Sequence, residues 1–413
     1  MTRARLFMAW FGLTAAACGA PTPSDELPRA VHPSERRIRL AVADAARPSV
    51  ALVDLEDRAV LAPVDVGAPS KLAETERREH ALLLQTEPPR VQALWGGVSA
   101  LEHSEGTATP HVHVYKFEPE LVAIAGAELE RPEAAWARDG VVALLSATSR
   151  GARADWFLES GLEPSGDRGL RSLEVPLREP TGVLALAGGW LVSGADERGS
   201  GVLMRLDADG APVEQAPCEA PFGLLAASAF AALSCVQELV RIRQVAPEAP
   251  WSVERSTIAE SIPPLVVTGY AALDTLLVRD ARGAAWAHDA AGLRALALPA
   301  GSCELALEPA RGDVAVALGS DGVLRRVSLS SGAVEASLRV TPAFACDSPI
   351  RPQLVLAPER AFVSDPAAGL VHDVSLAPLE ELRSYVVTGQ PMYLAVLGLD
   401  PRTRNLGLGD GLD

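Results

Sequence analysis

Apolar residues in this chain fall in short runs of roughly four to eight, bounded by Gly, Pro, Asp or Ser, which is the pattern of buried strands and turns. The runs come in pairs. The first pair reads LAVADAARPSVALVDLED, Leu40–Asp57. Comparable hairpins lie at His80–Leu94, Gly140–Leu158, Gly189–Leu206, Ala229–Ile242, Thr275–His288, Asp313–Leu329 and Arg360–Leu376. Within them, runs such as Val141–Leu145, Trp190–Ser193 and Val202–Leu206 are almost wholly apolar. Both faces of such a strand must be covered. The turn Gly319-Ser320-Asp321-Gly322 is a hairpin signal. A repeat of about forty to fifty residues built from short strands marks propeller blades. The pattern therefore predicts an all-β chain forming a single β-propeller of eight blades, or seven if one hairpin belongs to an insertion. Ile38–Ala43 and Met392–Leu397 are predicted to share a terminal blade, which removes the open edges of the ring.

One stretch breaks the period. Gly96–Glu120 reads GGVSALEHSEGTATPHVHVYKFEPE and holds His103, His111 and His113 with Glu102 and Glu105. In a strand, His111 and His113 share a face because side chains alternate. Two imidazoles on one face form half of a tetrahedral zinc site. His103, Glu102 or Glu105 completes the candidate ligand set, and half-exposed surface histidines are the competing reading. The other histidines, His32, His80, His288 and His372, read as structural or surface residues. No GxSxG, HExxH, Walker loop or GxGxxG after a strand occurs, so no enzyme and no organic cofactor is expected.

The N-terminus changes the picture of location. Arg3 and Arg5 precede an apolar run, Leu6–Leu13, too short for a permanent membrane span. Small residues then lead directly into Cys18, as at a bacterial lipobox. The expected organisation is a lipoprotein signal over 1–18 with Cys18 lipidated, a flexible tether over 19–37, the propeller over 38–398 and a frayed tail over 399–413. That places the protein in the bacterial envelope, held to the membrane by its lipid alone. The remaining cysteines, Cys218, Cys235, Cys303 and Cys346, allow three pairings. The simplest, Cys218–Cys235 and Cys303–Cys346, spans about one blade or less in each case. The formal net charge of −16 argues against nucleic acid as a partner.

The residues also resemble a family. LAVADAARPSVALVDLEDRAVLAPVDVG, beginning at Leu40, is similar to the first blade of periplasmic zinc metallochaperones of the AztD type, and Val91–Leu121 to their His-rich segment ahead of a Pro-hydrophobic phrase, here FEPELVAIAG (Phe117–Gly126). Arg131-Pro132 with Trp136–Gly140, and Thr181-Gly182-Val183 with Trp190–Ser193, resemble the entries of later blades, and Cys218 and Cys235 around Phe222-Gly223 match its paired cysteines. The resemblance implies a β-propeller, zinc as cargo, and a partner that is the binding protein of a metal transporter. It also implies histidines at positions that are here Ala134, Thr181 and Phe222, which leaves His103, His111 and His113 as the retained set. An envelope scaffold that binds proteins and no metal is the alternative. Replacing Cys18 with Ser is expected to release the protein from the membrane fraction; retention of the variant would refute the anchor.

Overall fold

The computed structural model describes residues 37–103, 111–124, 132–138, 140–148, 151–162, 169–186, 188–226, 230–243, 250–270, 273–289, 291–310 and 312–399. They form eight antiparallel blades in a ring. Each hairpin read from the sequence is the middle pair of strands of one blade. In blade 3, for example, Val141–Thr148 and Gly151–Leu158 lie between Pro132–Arg138 and Arg171–Val175. The middle strands are the apolar ones because a neighbouring blade covers each of their faces. Val142 and Leu144 pack toward blade 2, with Leu82 and Leu84. The alternate residues Ala143 and Leu145 pack toward blade 4, with Val183 and Val192. Burial on both sides removes the polar alternation that a half-exposed strand needs.

Blade 1 closes the ring by joining the first and last described strands. Its innermost strand is the C-terminal Pro391–Leu399, paired with Arg37–Asp44 in the register Leu40↔Val396 and Val42↔Leu394. Ser49–Asp54 follows, and two short strands, Ala59–Val60 and Val64–Asp65, fill the outer position. The shared terminal blade expected from the sequence is present, with the last strand running to Leu399. Blade 2 consists of Lys71–Glu74, His80–Thr86, Pro89–Trp95 and Glu120–Ala123. Between its third and fourth strands it carries a separate two-stranded hairpin, Val98–His103 with His111–Lys116.

Strand alternation gives the ring two unlike faces. Turns from first to second and from third to fourth strand lie on one, which also bears the extra hairpin and Arg37, the first residue of the N-terminal strand. Turns from second to third strand and the connections between blades lie on the other. Both disulfides belong to this second face. Cys218, in the connection from blade 4 to blade 5, bonds to Cys235 with Cα atoms 5.0 Å apart. Cys303, on the inner strand of blade 7, bonds to Cys346 in the connection to blade 8, with Cα atoms 5.1 Å apart.

Inner strands present a backbone edge to the axis, and several are irregular there, with register shifts at Pro180/Gly182 and Ser302/Glu304. Serines on the second strands satisfy part of that edge. Ser364 Oγ donates to Met392 O at 3.0 Å and accepts the Gln353 N–H at 2.9 Å, joining blade 8 to the closing strand. Because closure relies on apolar packing around that strand, Leu397→Ala, at a fully buried site, is expected to cost about 2–5 kcal/mol. Denaturant unfolding checks it, and a loss well under that range would mean that closure does not depend on this packing.

Candidate metal centre on the hairpin face

The hairpin is fixed to the ring at its base. Arg39, on the closing strand pair and 5% exposed, donates from Nη1 to Gly96 O at 2.7 Å and Phe117 O at 2.8 Å. Its Nε meets Asp54 at 3.2 Å. Lys116, the last hairpin residue, pairs with Asp54 at 3.0 Å and also with Asp57. Burial pushes the Asp54 carboxyl up, but the Asp57 N–H, Lys116 and Arg39 outweigh it and hold the group below its usual value. The turn into the hairpin needs Gly97, at φ +69, where a Cβ would stand 2.3 Å from Phe117 O.

Above this base the register is specific. His103 pairs directly with His111, and Leu101 with His113. Directly opposed residues share a face, and so do residues two apart on one strand. The backbone therefore places His103, His111 and His113 on one face of the hairpin. Glu102 pairs with Val112 and takes the other face. Glu105 lies outside the described residues, as does Cys18. Among the described residues, no group of three His, Cys, Asp or Glu side chains is placed to hold a metal ion.

The surroundings are acidic. Asp57, Glu118, Glu120, Asp209, Asp274 and Glu359 are exposed on the hairpin face, against Arg58 and Arg243. The disulfide face is mixed, with exposed Asp65, Glu197 and Glu260 beside Arg47, Arg198 and Arg282. A predominantly negative face concentrates cations near it.

Beside the hairpin, blades 2 and 3 are stitched by carboxylates. Glu159 accepts the Arg77 N–H at 3.1 Å, and Glu76 accepts the Gly140 N–H at 2.8 Å. Burial, with Glu79 nearby, pushes the Glu159 carboxyl up to about 7. Glu56, which accepts the Ile38 N–H at 3.0 Å, is likewise raised to about 7 by burial, with Asp54 adding to the shift. Next to Arg77, Arg78 meets Glu74 at 3.1 Å and lies over the Tyr270 ring at 5.4 Å. Tyr270 belongs to blade 6, on the opposite side of the ring, so this pair crosses the axis at the hairpin-face end. Burial pushes its phenol up to about 12.

The other residues singled out from the sequence lie elsewhere. Ala134, Thr181 and Phe222 sit near the starts of the inner strands of blades 3, 4 and 5, at the disulfide-face end. They are thus on the side of the ring opposite the three hairpin histidines. Thr181 Oγ1 is 3.0 Å from Ser193 Oγ, and Phe222 is 43% exposed. His80, His288 and His372 are buried within blades. His372 Nδ1 meets Glu381 at 2.9 Å, while the adjacent Asp373 pairs with Arg360, as opposite faces of one strand require. The sequence reading missed Arg78 and Glu159; its only signal for Arg78 was the charge-dense turn Glu74–Glu79.

The raised Glu159 carboxyl has a definite sign. A folded value above the ordinary 4.5 contributes stability at low pH that is lost as pH rises through about 7. With this group 2% exposed, the contribution is at most about 3 kcal/mol. Glu159→Gln is expected to flatten the fall in stability between about pH 5 and pH 8. Parallel pH profiles for the two proteins in thermal unfolding would refute it.

No protein-family model matches the chain. The structure is similar to apo AztD from Citrobacter koseri, with a TM-score of 0.77 and 20% identity over 88% of this chain and 98% of that one. A second structure of Citrobacter koseri AztD gives a TM-score of 0.78 and 20% identity over 89% and 99%. Dihydro-heme d1 dehydrogenase NirN in complex with DHE gives 0.58 and 11% identity over 94% and 78%. At these identities the likeness is one of fold: the chain is a β-propeller like that of AztD.

Proposed function

We propose that this protein is a lipid-anchored envelope propeller that captures zinc on its hairpin, in the manner of the periplasmic zinc metallochaperones that the sequence resembles. The observation that carries the reading is the hairpin register, which puts His103 opposite His111 with His113 two residues on. Three neutral imidazoles, with Glu105 or water as the fourth ligand, suit tetrahedral Zn²⁺. The acidic face raises the local concentration of cations around them. The function proposed is binding and delivery, with an envelope protein as recipient. The anchor through Cys18 and the tether belong to the same proposal, and the chain enters the ring on the hairpin face.

Ligands contributed by one hairpin and completed by solvent give weaker binding than a closed four-residue site. They also give binding that weakens as pH falls through about 6.5, where imidazole protonates. Calorimetric titration of zinc into the purified protein is expected to show one site, lost in His111→Ala/His113→Ala. Heat that persists in the double variant moves the site elsewhere. No heat in the parent protein overturns the metal reading and leaves the scaffold function.

A further inference from the structure

The disulfide-face end of the ring axis holds a charged cluster that the hairpin chemistry does not use. Arg279 is the last residue of the second strand of blade 6, Leu276–Arg279, and is half-buried. Glu304 stands on the inner strand of blade 7, Ser302–Leu307. Arg351 precedes the inner strand of blade 8, Leu354–Ala357. Tyr393 is on the inner strand of blade 1. Glu304 and Arg351 form an ion pair. Their neighbours in sequence are Cys303 and, a few residues before Arg351, Cys346, which are bonded to each other. The disulfide thus ties the strand that carries the carboxylate to the loop that carries the guanidinium.

Arg279 is left over. Glu304 is engaged by Arg351. Asp280, beside Arg279 in sequence, is fully buried and spent on the Arg282, Ala284 and Ile262 N–H groups, at 2.9, 2.8 and 3.1 Å. Among the described residues, nothing hydrogen-bonds to the Arg279 guanidinium, and no carboxylate stands within ion-pair distance of it. Burial and the nearby Arg351 both act against its charge, with Glu304 the main opposing influence. A half-buried guanidinium with no hydrogen-bond partner among the described residues can be engaged by an anion from solution. The next inner strand, of blade 5, exposes Phe222. The opposite end of the axis is crossed by Arg78 and Tyr270, so a ligand reaches this cluster from the disulfide face.

We infer that the disulfide-face mouth of the axis is a binding site for a small organic carboxylate with an apolar body. Arg279 takes the carboxylate, Arg351 is held beside it by Glu304, and Tyr393, on the inner strand next to Arg351, is the aromatic group at hand. A carboxylate matches the site because one planar guanidinium pairs with it in bidentate fashion. A phosphate dianion would need more positive charge than one unpaired arginine supplies. The site is separate from the hairpin histidines and goes beyond the zinc reading.

Calorimetry with benzoate as the probe tests this on the purified protein. Benzoate is expected to bind, and Arg279→Gln to weaken it at least tenfold. Arg279→Lys, which keeps the charge but loses the fork, should fall between, and Arg282→Gln on the same face should match the parent. Zinc titration of Arg279→Gln shows whether the fold and the hairpin are intact. Absent benzoate binding, or equal affinity in Arg279→Gln, overturns the site. Tighter binding of inorganic phosphate than of benzoate overturns the assigned ligand class.

Discussion

The pairing of Arg37–Asp44 with Pro391–Leu399, together with the apolar packing around it, closes the ring, and much of the hairpin face is built on that seam. The strand Pro391–Leu399 pairs along the whole of Arg37–Asp44. On its other flank it is tied to blade 2, where Val396 N donates to Glu74 at 2.8 Å and Gly398 N to Arg78 O at 2.7 Å. Glu74 also meets Arg78, whose side chain reaches Tyr270 across the axis. Arg39, in the strand that pairs with Pro391–Leu399, clamps the base of the hairpin. The proposed metal ligands thus stand on a support that exists only when Arg37–Asp44 and Pro391–Leu399 have paired. Loosening closure should loosen the hairpin before it disturbs the blades on the far side.

The two faces divide the chemistry. One has the seam, the hairpin and an acidic surface. The other has both disulfides, a balance of charge and the Arg279 cluster. The covalent bonds restrain the connections between blades, which are long on that side, as at 340–353 between blades 7 and 8. The hairpin face has no such restraint among the described residues and relies on ion pairs such as Lys116–Asp54, and on backbone N–H groups bound by buried carboxylates.

What the sequence revealed follows from burial. The middle strands were legible because both their faces meet neighbouring blades, and Val314–Gly319 is buried throughout. The outer strands were not, since Ser252–Thr257 and Leu379–Val386 are largely exposed and carry Glu and Arg. Inner strands such as Lys71–Glu74 are too short and too polar to stand out. At the candidate site the His111-Val112-His113 pattern was visible, but the pairing of His103 with His111 depends on the length of the hairpin turn, which no residue pattern specifies. Glu159 and Arg77 are 82 positions apart, and a contact at that range leaves no local trace. The resemblance grouped the hairpin histidines with Ala134, Thr181 and Phe222, yet the ring puts the two sets on opposite faces. Ala134, Thr181 and Phe222 therefore bear on the disulfide-face end of the axis and not on the proposed hairpin site.

The most direct measurement of the central claim is X-ray absorption at the zinc edge of protein loaded with an equimolar amount of the metal. Capture by the hairpin predicts a nitrogen and oxygen shell at about 2.0–2.1 Å, with the outer-shell scattering of imidazole rings, and loss of that scattering in His111→Ala/His113→Ala. A sulfur shell, or a shell of light atoms without imidazole scattering, would contradict it.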